Sequence, residues 1–409
     1  MATLWRNRDF LKLWTGQTVS EIGSRITREG LPLTAILALG AAPWQLGILS
    51  ALGGASTLAF GLVAGVWVDR LRCRPILIAT DLARALLLFS IPAAALTHSL
   101  GMTQIYLAAA LAGILTVFFD VAYQSYLPAL VAPDQIVEGN TKLMLSATAA
   151  EIVGPGITGV LVQWITAPIA ILFDALSFLV SALSVALIRH PEPARLPQPQ
   201  QHWRDETVSG LRFIAGHPLL RPLASWSVTF FLFMGVFGSL YMLYAIRVLG
   251  LPTSLLGITI AMGGAGATVG SFASARVVRR FGFGPTIILA AFVIALATAL
   301  IPFAHGSPSA TVPILMAQQF FGDAGFAVFM IQSNSLRQTV TPAEVLGRVT
   351  AGMNLLWRGI FPVGALAGGM LGNAIGIRQT MALAVAGMVV SNAWLVWSPL
   401  RRRVGMIEG

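Results

Sequence analysis

The sequence predicts an all-α membrane protein, with twelve transmembrane helices in two pseudo-symmetric six-helix bundles. Three observations lead there. Charged residues make up 10% of the chain and hydrophobic ones 56%, against about 25% charged in soluble domains, so a water-facing surface cannot be covered. The apolar residues fall in long runs, unlike the short alternating segments of a barrel. The 409 residues hold many spans of about 20 residues each and leave little for a soluble domain.

The runs, separated by short turn-rich segments, fall at 10–39, 45–68, 75–97, 103–127, 141–163, 166–188, 219–247, 252–276, 285–304, 309–333, 349–373 and 378–398. The first carries "SEIGSRITREG", with Glu21, Arg25, Arg28 and Glu29. These charges interrupt the apolar core that a secretory signal needs, so "LALGAA" is not a cleavage site and the helix is retained. The second run ends in "GVWVDRLRCRPIL", the third holds Asp81 and Arg84, the fourth Asp120, the fifth "EIVGPGITGVL" and the sixth Asp174. A polar stretch then divides the chain into 1–188, a cytoplasmic linker 189–218 and 219–409. Within it Trp203, Val208, Leu211 and Phe213 mark an amphipathic helix lying on the membrane face. In the second half the tenth run carries Asp323 and the eleventh Arg358. "YQSYLPALVAPDQIVEGN" (123–140) and "IQSNSLRQTVTPAEVLGR" (331–348) each lead from a helix end through a Pro-acid turn into another span. A repeat at half-chain length is expected of transporters that rock two bundles about a central site.

Most of the 26 Lys and Arg lie on one side of this arrangement, from Arg6, Arg8 and Lys12 through Arg70, Arg72 and Arg74 to Arg401, Arg402 and Arg403. The positive-inside rule makes both termini cytoplasmic. The net charge of +10 is therefore topology, and nucleic acid is not an expected partner.

At about 100° per residue the four charges of the first span fall within about a 100° arc, with Glu21–Arg25 and Arg25–Glu29 at i, i+4. A lipid-facing charge at mid-bilayer costs about 2.5–3.5 kcal/mol, so this face turns toward protein or water. Two readings stay open: a self-paired structural cluster, or a face that binds polar parts of a substrate and takes part in proton coupling. Asp120, Glu151, Asp174 and Asp323 are further acids at membrane depth, and Asp174 is read as structural. Arg358 could answer Asp323 or an anionic substrate. Phe118, Phe119, Tyr123, Phe230, Phe231, Phe233, Phe237 and Phe326 could line an apolar cavity or face lipid.

Asp69, directly before Arg70, Arg72 and Arg74, sits where an acid at a helix end can bridge to basic groups and lock one conformation. Gly65 allows close helix contact. This stretch resembles motif A of the major facilitator superfamily: Gly65, Asp69, Arg70 and Arg74 match, while Trp67, Arg72 and Cys73 depart from the pattern. The resemblance implies a cytoplasmic gate latch, which Asp81 and Arg84 would join. "EIVGPGITGVL" resembles motif C of exporting antiporters through Gly154, Pro155 and Gly159, with Thr158 replacing a glycine. Its physical content is a kinkable helix with small faces. "FLKLWTGQTVSEIGS", "YLPALVAPDQIVEGN" and "SLRQTVTPAEVLGRVTAG" are similar to the branch holding macrolide efflux proteins and the enterobactin exporter. The resemblance implies that the first, fourth, tenth and eleventh spans line a central cavity. It also implies export of amphipathic small molecules, drug-like or siderophore-like, by proton antiport. The span-four arginine of many proton-linked exporters is missing, with Ala112 in its place, and Arg25 or Arg28 would have to substitute.

No catalytic constellation, cofactor or metal is expected. No phosphate-binding Gly-x-x-x-x-Gly-Lys loop exists, the five histidines are scattered, and the single cysteine is Cys73. The expected partners are a small-molecule substrate, protons and the lipid bilayer, with the chain a monomer in a bacterial inner membrane. The alternatives are a transporter of lysophospholipid or lipid-like substrates, or a non-transporting membrane sensor of the same fold.

Overall fold

Helix α1 (Arg8–Leu37) begins where Asn7 caps it, accepting from the Asp9 and Phe10 N–H groups at 3.1 Å. That cap satisfies donors which a helix start leaves orphaned. The computed structural model describes residues 4–68, 70–190, 192 and 203–401; side chains at 57, 62, 63, 66 and 203–206 lie outside the description. After α1 come α2 (Pro43–Val68), α3 (Cys73–Leu96), α4 (Met102–Leu130), α5 (Ile136–Ile165) and α6 (Ala167–Ala186). Then follow α7 (Trp203–Gly216), α8 (Leu220–Leu243), α9 (Thr253–Phe281), α10 (Phe283–Thr298), α11 (Pro308–Val340), α12 (Ala343–Ala374), α13 (Ile377–Ser391) and α14 (Ala393–Val396).

Among the described residues, ten of these helices, with the short turns that extend them, are long and apolar enough to cross a membrane. Helix α1, with its charges, and α2 are not among the ten. Contacts divide the chain into two compact units, Met1–Gln45 with Leu52–Pro199, and Leu46–Ala51 with Gln200–Gly409.

In the first unit α1 packs against α5 and α6, and α3 against α4 and α6. The α1–α6 seam is a seven-residue repeat of glycines. A Cβ on Gly16 would stand 2.8 Å from Ser184 Cβ, one on Gly23 would stand 2.6 Å from Asp174 Oδ1, and one on Gly30 would stand 3.1 Å from Ile171 Cγ1. Small residues let helix backbones approach where hydrocarbon offers no hydrophobic drive between helices. Phe10, Leu13, Leu77, Tyr126 and Ile188 belong to this unit's apolar core.

In the second unit α9 packs on α11 and α8 on α12. Trp226 is fully buried, stacked on Phe230 at 4.4 Å and Phe329 at 3.9 Å. Its indole N–H donates to Asn392 Oδ1 at 2.9 Å, and Asn392 Nδ2 donates to the Ala291 carbonyl. The run expected at 378–398 is thus two helices, α13 and α14, parted at Asn392. Helix α7 covers the residues of the amphipathic pattern and packs against α8 and α12; a Cβ on Gly352 would meet Ile214 Cδ1 at 3.1 Å.

Candidate functional site

The glycine seam decides where the α1 charges go. At about 100° per residue, Glu21, Arg25, Arg28 and Glu29 centre roughly 180° away from Gly23, on the side opposite α6. The Arg25 guanidinium donates from Nη1 to Glu151 Oε1 of α5 at 3.1 Å. Its hydrogen-bonded partner is thus on another helix, α5, and not Glu21 or Glu29 of its own helix. The motif C glycine makes the pair possible: a Cβ on Gly154 would stand 2.5 Å from Arg25 Cβ. Pro155, Thr158 and Gly159 are buried beside it. Glu29 is half-buried, with the Arg28 and Arg25 charges acting on it, and Arg28 is exposed. Glu21 of α1 and Asp120 of α4 both lie near enough to Tyr123 for their charges to act on it.

A second polar group lies inside the same unit. Asp81 and Arg84 of α3 form an ion pair with both side chains nearly inaccessible. The Arg84 guanidinium is sandwiched between Phe119 at 4.3 Å and Phe178 at 4.1 Å. Cation–π contacts of this kind gain when desolvated. Asp174 is also buried and accepts from Ser177 Oγ at 3.0 Å, while Gln17 donates to Ser181 Oγ at 3.0 Å. Asp81 and Arg84 thus sit in a helix-packing core walled by aromatics, and Phe119 serves this pair instead of an open lining.

Around motif A, Asp69 lies outside the described residues. Arg70 is exposed, and Arg74 donates from Nη2 to the Ala186 carbonyl at 2.5 Å. A Cβ on Gly65 would meet nothing within 4 Å, so the close contact expected there is absent among the described residues. Among the described residues Glu192 is an acid on this corner: its carboxylate accepts from the Cys73 N–H at 2.6 Å and the Arg74 N–H at 3.1 Å. Sequence reasoning missed it because it stands in a Pro-rich stretch with no helical pattern. Nearby, Lys12 Nζ reaches the Leu187 carbonyl at 2.7 Å, and Asp9 accepts from the His190 N–H at 3.0 Å.

In the second unit Asp323 is half-buried and seated against Gly263 of α9, where an added Cβ would collide with its Oδ2. Arg358 is exposed, its guanidinium 5.0 Å from the Trp357 ring. Trp357 packs on Phe231 at 5.0 Å and donates to Asn354 Oδ1 at 3.1 Å. Phe230 belongs to the Trp226 stack, and Phe233 lies on Gly387. Phe230 is core, while Phe233 is half-buried, as is Phe326 beside Phe231.

Apolar helices, a polar face on α1, and glycines that seat charged side chains suit a membrane carrier. The profile of the Major Facilitator Superfamily matches residues 13–365. The chain belongs to that superfamily. It is similar to the multidrug efflux pump Tap of Mycolicibacterium fortuitum, 27% identical over 369 residues and 88% of each chain. It is also similar to the enterobactin exporter EntS of Escherichia coli, 24% identical over 348 residues, 82% of this chain and 78% of that one. The resemblance to the efflux branch read from the motifs therefore holds. A bacterial homologue of the iron transporter ferroportin, solved in an inward-facing state, matches with a TM-score of 0.77 at 16% identity, over 97% of this chain and 99% of that one. At that identity the likeness is one of fold.

Proposed function

We propose that this superfamily member is a secondary transporter that exports amphipathic, drug-like small molecules in exchange for protons, by alternating access. The observation that carries the proposal is the Arg25–Glu151 pair, 3.1 Å long, on the face that also holds Glu21 and Asp120. Ionisable groups kept at membrane depth are costly, and their usual return is a substrate or proton path. Acids exceed bases on that face, with Glu21, Glu29, Asp120 and Glu151 against Arg25 and Arg28. An uncharged or cationic cargo suits it better than an anionic siderophore. The efflux relatives support the outward direction. Asp323 is the second unit's proposed proton carrier, and Arg358 beside Trp357 its polar contact to cargo. Arg70 and Arg74, with Asp69, are the proposed gate, and Gly154, Pro155 and Gly159 the proposed flexing point.

The same proposal includes twelve spans in two six-helix bundles, cytoplasmic termini, a bacterial inner membrane and a monomeric carrier. The basic residues on one side support that orientation.

Vesicles containing the protein should move a fluorescent amphipathic cation against its gradient when a pH difference is imposed, and stop when it is collapsed. Glu21→Gln and Asp323→Asn should each slow that movement without loss of folded protein. Dye movement indifferent to the pH difference would remove the antiport, and full activity in both variants would remove these two residues from coupling.

A further inference from the structure

Helices α7, α8, α12 and α14 line an open cleft of ≈ 390 Å³ in the second unit, within the range of about 300–1,000 Å³ usual for ligand pockets. Its walls are apolar, including Leu211 of α7, Leu356 of α12 and the half-exposed Trp394 of α14. Trp394 is held in place by its indole N–H, which donates to Thr229 Oγ1 at 3.1 Å.

Two features fix the chemistry of an occupant. The first is depth. The cleft follows α8 from Arg221 to Thr229, roughly 12 Å at 1.5 Å per residue, and α8 begins a segment apolar enough to span a membrane. In the membrane arrangement proposed above, on which this inference rests, one end is at headgroup level and the other lies in hydrocarbon, where a peptide or nucleotide would leave polar groups unsatisfied. The second is charge. Arg221 stands in the first turn of α8, the helix end where a cation is disfavoured. Among the described residues its guanidinium forms none of the ion pairs. An exposed cation at the headgroup end of an apolar cleft is complementary to an anionic amphiphile.

We propose that this cleft holds one anionic phospholipid as a resident ligand, its phosphate at Arg221 and an acyl chain along Leu211, Leu356 and Trp394. The lipid is structural to the α7–α8 corner and is not the exported cargo. A basic residue near an anionic headgroup strengthens binding about fivefold, which sets the size of the preference.

The test uses the purified full chain in native mass spectrometry, titrated with phosphatidylglycerol and phosphatidylcholine of identical acyl chains. The wild type should retain phosphatidylglycerol about fivefold better, Arg221→Gln should bring the two lipids level, and Ser225→Trp should fill the cleft and weaken both. Equal retention by the wild type, or a preference that survives Arg221→Gln, overturns the proposal. A second measurement covers the case in which Ser225→Trp does not fold. In nanodiscs containing phosphatidylglycerol with brominated chains, the emission lost in Trp394→Phe identifies the Trp394 signal. That signal should be quenched more than by brominated phosphatidylcholine, and Arg221→Gln should remove the difference; an unquenched Trp394 overturns the proposal.

Discussion

Arg25 of α1 and Glu151 of α5 are joined across two helices at 3.1 Å, and the motif C residue Gly154 leaves the room that the Arg25 stem fills. A motif ordinarily read as a place to bend is here also a seat for a charge. The same device recurs where Gly23 faces Asp174 and Gly263 faces Asp323. Three ionisable side chains thus lie against a glycine on the neighbouring helix.

Glu151→Gln removes one charge of the Arg25 pair while keeping its volume. Glu151 is more than half exposed, so the stability change should stay within about 1 kcal/mol. Vesicle dye export should fall while the yield of folded protein holds. The exchange of both residues, Arg25→Glu with Glu151→Arg, should recover part of the loss; recovery by neither measure would mean the pair is not the functional contact.

Gly23→Ala would push a methyl into Ser177 and to within 2.6 Å of Asp174 Oδ1. Overpacking of this kind costs about 1–3 kcal/mol, seen as a lower thermal midpoint in detergent. Gly65→Ala meets open space and removes a helix-interior glycine, so it should be neutral or stabilising by up to about 1 kcal/mol.

Arg84→Met would strand Asp81 in a core where both residues are almost wholly inaccessible. Leaving one partner of a buried pair costs about 3–5 kcal/mol. The double variant Asp81→Leu with Arg84→Met should be more stable than Arg84→Met alone, because no uncompensated charge remains. Equal midpoints for the single and double variants would show that the pair is not electrostatically coupled.

Composition and run length made the helical membrane class legible, and motifs A and C made the superfamily legible, because both depend on local residue types. Partner choice was not. Arg25 has acids four residues away on both sides, and spacing alone left pairing with them open; the α1–α6 glycine seam orients α1 so that Arg25 reaches Glu151 of α5. The seven-residue spacing of Gly16, Gly23 and Gly30 was available as a signal, but it was hidden in a chain with 41 glycines. Asp174, read as structural, is buried facing Gly23. The break at Asn392 could not be read, because the bond that rewards it comes from Trp226, distant in sequence.

His217 should make the α7–α8 corner sensitive to acid. Its Nδ1 accepts from the Leu219 N–H at 3.2 Å and, more weakly, from the Leu220 N–H at 3.4 Å, which requires the neutral imidazole. Burial lowers its pKa from the ordinary 6.5. Between the folded value and 6.5 the unfolded state binds more protons, so stability rises with pH through that window. The contribution is complete above 6.5 and is lost as pH falls through the folded value. Hydrogen exchange at residues 217–221 should therefore accelerate, beyond its intrinsic pH dependence, when pH drops from 7.5 to 5.5. His217→Ala should exchange quickly at both values.

Glu192 closes the N-terminus of α3, and the chain's single cysteine reports on it. Cys73 is fully buried, and its N–H donates to Glu192 Oε1 at 2.6 Å. A carboxylate at a helix start satisfies orphan donors and meets the positive end of the dipole, so losing it frays the first turn. Replacing a capping side chain with alanine costs about 0.5–2 kcal/mol, which corresponds to roughly 2- to 30-fold more open state. Glu192→Ala should raise the rate of maleimide labelling at Cys73 by that factor, and Glu192→Asp by less. Arg74→Gln offers a control: it removes the Arg74 bond to the Ala186 carbonyl without touching either capped N–H, so labelling should rise less than in Glu192→Ala. If Glu192→Ala labels no faster than wild type, Glu192 does not hold this corner, and the Arg74–Ala186 bond together with apolar burial of Cys73 suffices to keep α3 closed.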